Sequence, residues 1–265
     1  MTTPDTSSGI PRFLSGSTLK MFACAIMVID HAALCLIYNS LLKPFLPVTV
    51  GTEMYEVYRF YRFLRGVGRL AFPIFCFFLA EGFLYTKSRA KYALRLLLFG
   101  FVSEIPFDLC TKLQPFYWKH QNVMFELLAA LLMLSTWEYF DHERAVCLRD
   151  SGPVHTGADL KEAGLILCQA GSAAGFMCLA QLLHFDYGFK GLGLILILYL
   201  LRRDRLVQCI SGAVSISVWE LPAVLSFLLL LFYNGKRGRQ MRYFFYIFYP
   251  AHLLLLYGLS RFISA

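Results

Sequence analysis

The run Lys20-Met21-Phe22-Ala23-Cys24-Ala25-Ile26-Met27-Val28-Ile29-Asp30-His31 decides the fold, because it is a long apolar stretch that carries ionisable side chains. A helix over this run places Lys20 and His31 on one face, within about 20° of each other and roughly 16 Å apart along the axis. If that helix crosses a bilayer, Asp30 and His31 lie near mid-depth, where ionisable groups are costly and indicate a functional site. The run therefore predicts a transmembrane helix with a polar groove along one face.

The composition of the whole chain is typical of a membrane protein. Hydrophobic residues make up 58% of the 265 residues, and charged residues only 16%. Because apolar runs of membrane-spanning length recur, we predict an all-α, polytopic transmembrane helix bundle of about 8–9 spans. Short or kinked helices are expected to surround a polar cavity. Residues 1–18 are polar and are predicted to be a disordered tail, and residues 19–265 a single transmembrane domain.

Seven predicted helices follow apolar runs, with the bounds 19–42, 68–86, 92–112, 122–140, 163–184, 189–201 and 243–263. The connection 43–67 contains arginines among aromatic residues, which is typical of an interfacial amphipathic helix. The polar segment 141–162 is predicted to be a long charged loop. Pro106 and Pro250 lie inside predicted helices and indicate kinked or unwound segments.

The run 206–233 is too long for a single span. Its 28 residues would form a helix of about 42 Å, whereas the hydrocarbon core is about 30 Å thick. Two short helices that meet at Glu220 would place the basic turns near residues 87–95, 202–205 and 236–242 on the same side as the N-terminus. The positive-inside rule then predicts two helices and a cytoplasmic N-terminus.

Charge and cysteine content exclude some classes of partner and site. The net charge of +8 arises from Lys and Arg residues that flank apolar runs, so it indicates topology and contact with membrane lipids, and no nucleic-acid partner. The eight cysteines contain no CxxC spacing. They are interpreted as packing residues, and no metal site is predicted.

Ionisable residues recur within the predicted spans. They are the carboxylates Asp30, Glu81, Glu104, Asp108, Glu126 and Glu220, the histidines His31 and His252, and the arginines Arg69 and Arg95. Any one of them is compatible with a hydrogen-bonded structural role. Together they predict a hydrated cavity that contains ion pairs.

Several short motifs are similar to those of one family. They are Asp30-His31, Gly68-Arg69-Leu70-Ala71-Phe72-Pro73-Ile74-Phe75, Ala80-Glu81-Gly82-Phe83, Ala93-Leu94-Arg95-Leu96-Leu97, Ser103-Glu104-Ile105-Pro106-Phe107, Asn122-Val123, Asp186-Tyr187-Gly188 and Phe248-Tyr249-Pro250-Ala251-His252-Leu253. In combination they resemble the TraX family, named for the conjugative pilin acetylase, and the resemblance covers nearly the whole chain. It implies a protein of the bacterial inner membrane.

The TraX family is in turn similar to a wider superfamily of membrane acyltransferases, which includes sugar O-acetylases and the lysosomal heparan N-acetyltransferase. Those O-acetylases have a basic residue, ten residues and then a histidine in the first helix, a spacing that Lys20 and His31 match. They also have two arginines three positions apart, whereas Lys91 and Arg95 are four apart, so the role of Lys91 is not carried over. The resemblance implies transfer of an acetyl group from acetyl-CoA to an acceptor, which is a pilin-like protein, a glycan or a small molecule.

The residue types present are compatible with this chemistry. His31 is the natural general base, or alternatively a covalent carrier of the acetyl group. Asp30 lies about 100° away around the helix, so it is expected to support a neighbouring helix. The carboxylate that orients His31 is predicted to be Glu81, Glu126 or Asp186.

The remaining candidates are assigned to binding. Candidate acetyl-CoA ligands are Lys20, Arg69, Arg89, Lys91, Arg95 and Asn122, and candidate substrate contacts are Glu104, Asp108, Tyr187, Glu220, Tyr249 and His252. For the basic residues among them, topology alone is an equally good explanation. The alternative function is a proton-coupled transporter or flippase that uses Asp30, Glu126 and Glu220 as relays. A purely structural subunit is disfavoured by so many intramembrane charges.

Overall fold

The computed structural model describes residues 11–150, 156–239 and 242–263, and this part of the chain is helical, without a β-strand. Its α-helices are α1 (Gly16–Ala32), α2 (Tyr55–Gly68), α3 (Ala71–Tyr85), α4 (Arg89–Lys112), α5 (Val123–Asp150), α6 (Thr156–Leu182), α7 (Gly188–Leu200), α8 (Arg205–Ser217), α9 (Leu225–Leu231) and α10 (Arg242–Ile263). The all-α prediction is confirmed.

Five helical stretches are long and apolar enough to cross a membrane. They are Gly16–Phe45, Tyr55–Tyr85, Val123–Arg149, Leu160–Leu182 and Tyr243–Ile263. Helices α7 and α9 are apolar but shorter. Helix α4 has 24 residues, but its charged side chains lower its hydropathy. The chain is thus a membrane protein with several candidate spans, and the higher span number predicted from sequence is not confirmed.

The first helix begins earlier than predicted. Ser15 caps α1 by accepting a hydrogen bond from the Thr18 N–H at 3.2 Å, and the Gly16 N–H donates to the Lys236 carbonyl at 2.8 Å. The predicted tail 1–18 is therefore too long at its C-terminal end, because its last residues pair with the chain near residue 236. Residues 1–10 lie outside the described residues. Past Ala32 the helix continues as a π-helix from Ala33 to Leu42.

The amphipathic helix predicted within the segment 43–67 is present, and the position of this segment at the membrane interface stays a prediction. The second half of the segment is α2, which packs lengthwise against α1 and its π-helical extension, with the rings of Tyr38 and Tyr61 stacked at 5.3 Å. Helix α2 leads into α3 after a break of two residues, Arg69 and Leu70. This break places the arginines at the end of α2 beside the centre of α1.

The prediction of a long charged loop over residues 141–162 is wrong, because most of this segment is helical. Helix α5 continues to Asp150 and α6 begins at Thr156, and their polar ends form a helical hairpin. Arg144 binds Glu162 at 3.1 Å, and the Gln169 side-chain amide donates to Asp141 at 2.8 Å. These contacts give Arg144, Glu162 and Asp141 polar partners within the two helices. Residues 151–155 lie outside the described residues.

Proline lies at a helix break in one predicted run and inside a continuous helix in two others. The run 206–233 forms two short helices with a break at Val218–Glu220 and one 3-10 turn, Leu221–Val224, so the prediction of two helices is confirmed. By contrast, α4 and α10 continue through Pro106 and Pro250. The predicted unwound segment at Pro106 is therefore absent, because proline removes only one i→i−4 bond and the flanking turns persist.

Helix ends form two groups, the basic end and the cleft end, which are called the two poles. At the basic end, residues 14–17 pair with residues 232–237, and Arg237 donates to the Tyr85 carbonyl at 3.3 Å. At the cleft end, the α4–α5 connection pairs with the α6–α7 connection through Gln121 and Phe185. Helices α1 and α10 run in the same direction between these ends, since Lys20 contacts Phe245 and His31 contacts His252.

Candidate active site

A polar cleft of about 80 Å³ lies at the cleft end, where the break between α2 and α3 meets α1. Its ionisable lining consists of Asp30, His31, Arg65, Arg69, His120 and Asp186, and Tyr187 and Tyr249 add their phenol rings. The rest of the lining is mostly apolar and includes Phe72, Phe75 and Phe107. At about 30 Å³ per water molecule, the cleft has room for a few waters or one small group.

His31 is held by a second histidine. Its Nδ1 atom lies 2.8 Å from Nε2 of His252, and Nδ1 of His252 lies 2.8 Å from the carbonyl oxygen of Phe248. A carbonyl only accepts hydrogen bonds, so His252 Nδ1 carries a proton and, in the neutral ring, Nε2 carries a lone pair. His31 Nδ1–H must then donate to that lone pair. The neutral His31 ring therefore has its free lone pair on Nε2.

Asp30 is bound by α2. Its Oδ2 atom lies 2.5 Å from Arg65 Nη1, so this carboxylate joins α1 to α2 as expected from its position on the helix. Gly68 makes the approach possible, because a Cβ atom there would overlap the Asp30 carboxylate. The ion pair forms one wall of the cleft, next to His31.

Arg69 connects the α2–α3 break to two other parts of the chain. Its Nε atom lies 3.5 Å from Glu220 Oε2, and its Nη1 donates to the Tyr187 hydroxyl at 3.4 Å. The Tyr187 ring stacks on Phe72 with centroids 3.5 Å apart. Burial raises the pKa of the Tyr187 phenol, so the phenol stays protonated at neutral pH and can donate a hydrogen bond into the cleft.

Glu126 holds the backbone of Tyr187 without lining the cleft. It is fully buried, and its Oε2 atom accepts the backbone N–H of Tyr187 at 2.7 Å, at the N-terminus of α7. A carboxylate is favourable there because the helix dipole is positive at its N-terminus. The neighbouring Gly191 leaves space for the carboxylate, since a Cβ atom would overlap Oε1. Glu126 is therefore a structural neighbour of the cleft and does not contact His31.

His120 lines the cleft from the α4–α5 connection. His120 Nε2 lies 3.0 Å from Asp186 Oδ1. Two carboxylates of α4 anchor this connection: Asp108 accepts the Tyr117 N–H at 2.6 Å, and Glu104 accepts from the Asn122 side chain. Asp108, Glu104 and Asn122 thus fix the chain on both sides of His120, and none of them lines the cleft.

The predicted orienting carboxylates do not contact His31. Asp186 binds His120, and Glu126 binds the backbone of Tyr187. Glu81 lies at the basic end, where it accepts the Tyr233 hydroxyl at 2.8 Å and lies 3.8 Å from Arg205. Glu81 lies far from the cleft because most of α3 separates it from Arg69.

The predicted acetyl-CoA ligands do not form one cluster. Lys20 lies at the basic end, 4.7 Å above the Phe78 ring. Arg89 binds Glu138, Lys91 is exposed, and Arg95 lies near the Tyr92 ring. Arg69 and Asn122 lie at the opposite, cleft end, because the α2–α3 break and the start of α5 are both there.

Among the predicted substrate contacts, Tyr187 and Tyr249 line the cleft. Glu220 contacts Arg69, and His252 contacts His31, but neither is part of the lining.

Two features of the site were not predicted from the sequence: His120, and Arg65 as the partner of Asp30. Arg65 lies three positions after Arg62 on an amphipathic helix, and its spacing to Gly68-Arg69 would have indicated the same face. His120 had only one signal, its position just before Asn122-Val123.

The profile of the TraX protein family matches residues 15–260, a range that begins at the α1 cap and includes His31, His120 and His252. The chain belongs to the TraX family. A TraX-type relative from Dichelobacter nodosus, described as "Probable fimbrial assembly protein FimC, serogroup H1", is 30% identical over 267 residues, covering 94% of this chain and 97% of that protein. No solved structure matches the chain.

For this TraX-family chain, the match extends over both poles of the molecule. It covers the contacts of residues 15–17 with residues 236–239 as well as the cleft. The family assignment therefore applies to the whole described architecture and not to one motif.

Proposed function

We propose that this chain is an integral-membrane acetyltransferase that moves an acetyl group from acetyl-CoA to an amine or hydroxyl of an acceptor. One observation carries the proposal: His31 lines a polar cleft with its free lone pair fixed on Nε2 by His252. A neutral imidazole with one free lone pair can take a proton from the acceptor and return it.

The cleft residues fit the charge changes of acyl transfer. As the acceptor attacks the thioester carbonyl, His31 Nε2 takes the acceptor's proton, the new C–N or C–O bond forms, and the C–S bond breaks. His31 then returns the proton to the thiolate. Arg65 and Arg69 line the same cleft and would stabilise the negative charge that develops on the carbonyl oxygen. A covalent acyl-histidine at Nε2 is the alternative route.

The phosphates of acetyl-CoA are assigned to the basic end. Lys20 lies there on the same helix as His31, roughly 16 Å away along the axis, and Arg205 and Arg237 are nearby. Cations at this end would bind the phosphates while the pantetheine arm extends towards His31. By the positive-inside rule we place this end, and the N-terminus, in the cytoplasm of the bacterial inner membrane.

The acceptor is proposed from the relative. The Dichelobacter nodosus protein is described as a fimbrial assembly protein, so a fimbrial or pilin-like subunit is the first acceptor to test, ahead of glycans and small molecules. All three need the same base.

The transport alternative fits the contacts less well. Two of its three relay carboxylates, Asp30 and Glu220, are engaged by arginines. A relay would have to break these ion pairs in every cycle. Glu126 binds backbone behind the cleft and does not line it.

The test is transfer of isotope-labelled acetyl from acetyl-CoA by the full chain in lipid nanodiscs, against a panel of a pilin-like peptide, glycans and small amines. Labelled product that requires the protein supports acetyl transfer. No transfer to any acceptor, together with solute flux in proteoliposomes without CoA, would replace it with transport.

A further inference from the structure

We propose that His120, held by Asp186, is a second catalytic base of the cleft, which deprotonates an acceptor that arrives as an ammonium ion. The inference rests on the proposed acetyl transfer and adds a residue to it. The geometry that carries it is the meeting of two histidines in one cleft, each oriented by its own partner.

The hydrogen bonds of His120 leave one ring nitrogen available. Nε2 lies 3.0 Å from Asp186 Oδ1, and a carboxylate accepts, so Nε2 carries the proton and the lone pair of the neutral ring is on Nδ1. Nδ1 is buried and has no hydrogen-bond partner among the described residues. A buried acceptor without a donor is costly, and a proton of a bound ligand would satisfy it.

The charge balance of the cleft favours a cationic ligand at this position. Asp30 is paired with Arg65, and Glu220 with Arg69. Among the described residues Asp186 forms an ion pair with His120 alone, so no ion pair balances its negative charge while that ring is neutral. An ammonium group would be attracted to this part of the cleft.

Charged side chains face His120 from several elements. Asp186 faces it from the α6–α7 connection, and Glu104 and Asp108 interact with it from α4. The cations in this region are Lys112, which interacts with Asp108 at the end of α4, and Arg65 and Arg69, which line the cleft. Because 30% of the His120 side chain is exposed, water reaches this side of the cleft and can take the proton from the ring when the product leaves.

Two bases match the proton count of amine acylation. An ammonium loses one proton before it can attack and a second as the C–N bond forms. His120 Nδ1 takes the first and releases it to solvent, and His31 Nε2 takes the second and gives it to the departing thiolate. A hydroxyl acceptor, or an amine that is already uncharged, loses only one proton and needs only His31.

The test compares two acetyl acceptors over pH 6.5–9.5 with the full chain in nanodiscs. A peptide with a free α-amino group, whose pKa is about 7.7–8.0, is largely protonated at neutral pH, whereas hydroxylamine is not. For His120→Gln we expect kcat/KM with the peptide to fall about 15- to 30-fold at pH 6.5, because only about 3–6% of the peptide is then uncharged and can still react through His31 alone. The loss should shrink as pH rises, and the rate with hydroxylamine should stay within twofold.

Asp186→Asn keeps the side-chain shape and should shift the pH profile in the same direction, which identifies Asp186 as a positioning residue. His142→Gln, an exposed substitution on α5, is the matched control. A wild-type pH profile in His120→Gln, or an equal loss with both acceptors at every pH, overturns the role of His120. If the wild-type chain acetylates neither acceptor and no member of the wider panel, the proposed function itself fails.

Discussion

His31 and His252 form the residue-scale unit on which the proposed chemistry depends. The Phe248 carbonyl fixes the His252 tautomer, and His252 fixes that of His31. His252 is therefore a positioning residue, because it acts on the acceptor only through His31.

The substitution His252→Phe removes the acceptor for His31 Nδ1–H and frees the ring to change tautomer. We expect kcat to fall about 10- to 100-fold with KM nearly unchanged, because binding groups are untouched. His252→Gln keeps a polar acceptor and should recover part of the rate. Steady-state kinetics of both variants check this, and equal losses for Phe and Gln would contradict the positioning role.

Gly68 tests the packing of the ion pair beside His31. A Cβ atom in Gly68→Ala would overlap the Asp30 carboxylate. We therefore expect the free energy of unfolding to fall by about 1–3 kcal/mol, which is typical of overpacking. Gly171→Ala is the control, since its Cβ atom would meet no other atom within 4 Å. Thermal denaturation should show a lower melting temperature for Gly68→Ala only. Equal melting temperatures for the two variants would contradict the close approach.

At this scale the sequence predicted the helix position of His31 but not its partner. The eleven-residue spacing from Lys20 is a property of one helix and can be read directly. The contact with His252 joins residues 221 positions apart, so it depends on how α1 and α10 pack. His120 could not be predicted because it lies in a connection, where no periodicity specifies the direction of a side chain.

The elements that place these residues are the interruptions between helices. The break at Arg69 and Leu70 directs Arg69 towards Glu220 and Tyr187, and the break at Glu220 lies opposite it. Helix existence was predicted well from apolar runs. The errors came at polar ends, such as 141–162, where good helix formers extend α5 and α6 beyond their apolar cores.

Arg69→Lys tests this junction. Lysine keeps the charge but cannot reach Tyr187 and Glu220 together, because it lacks the planar fork of the guanidinium. We expect kcat/KM for acetyl transfer to fall at least about tenfold, since a hydrogen bond to a charged group contributes about 1.5–3 kcal/mol. Arg59→Lys is the matched control on the exposed surface of α2, where Arg59 forms an ion pair with Glu56. Equal activity of the two variants would contradict the junction's role.

On the scale of the whole molecule, the two poles have different functions in the proposed scheme. In that scheme the basic end would bind acetyl-CoA from the cytoplasm, and the cleft end contains His31 and His120. Composition alone predicted the all-α membrane class. The number of spans could not be read from it, because α7 and α9 are apolar but short.

Membrane orientation is tested with single cysteines at two exposed lysines, Lys87 between α3 and α4 and Lys119 between α4 and α5. A membrane-impermeant maleimide should label Lys119→Cys in intact cells and Lys87→Cys only after permeabilisation. The unsubstituted chain controls for its native cysteines. The reverse pattern would place the N-terminus outside the cytoplasm.

The most direct measurement of the central claim is acetyl transfer by His31→Gln in nanodiscs, with wild type and His142→Gln assayed beside it and folding checked by thermal denaturation. If His31 is the base or the acyl carrier, His31→Gln remains folded and loses acetyl transfer at least about 100-fold, while His142→Gln retains wild-type activity. A folded His31→Gln protein with wild-type acetyl transfer would contradict the claim.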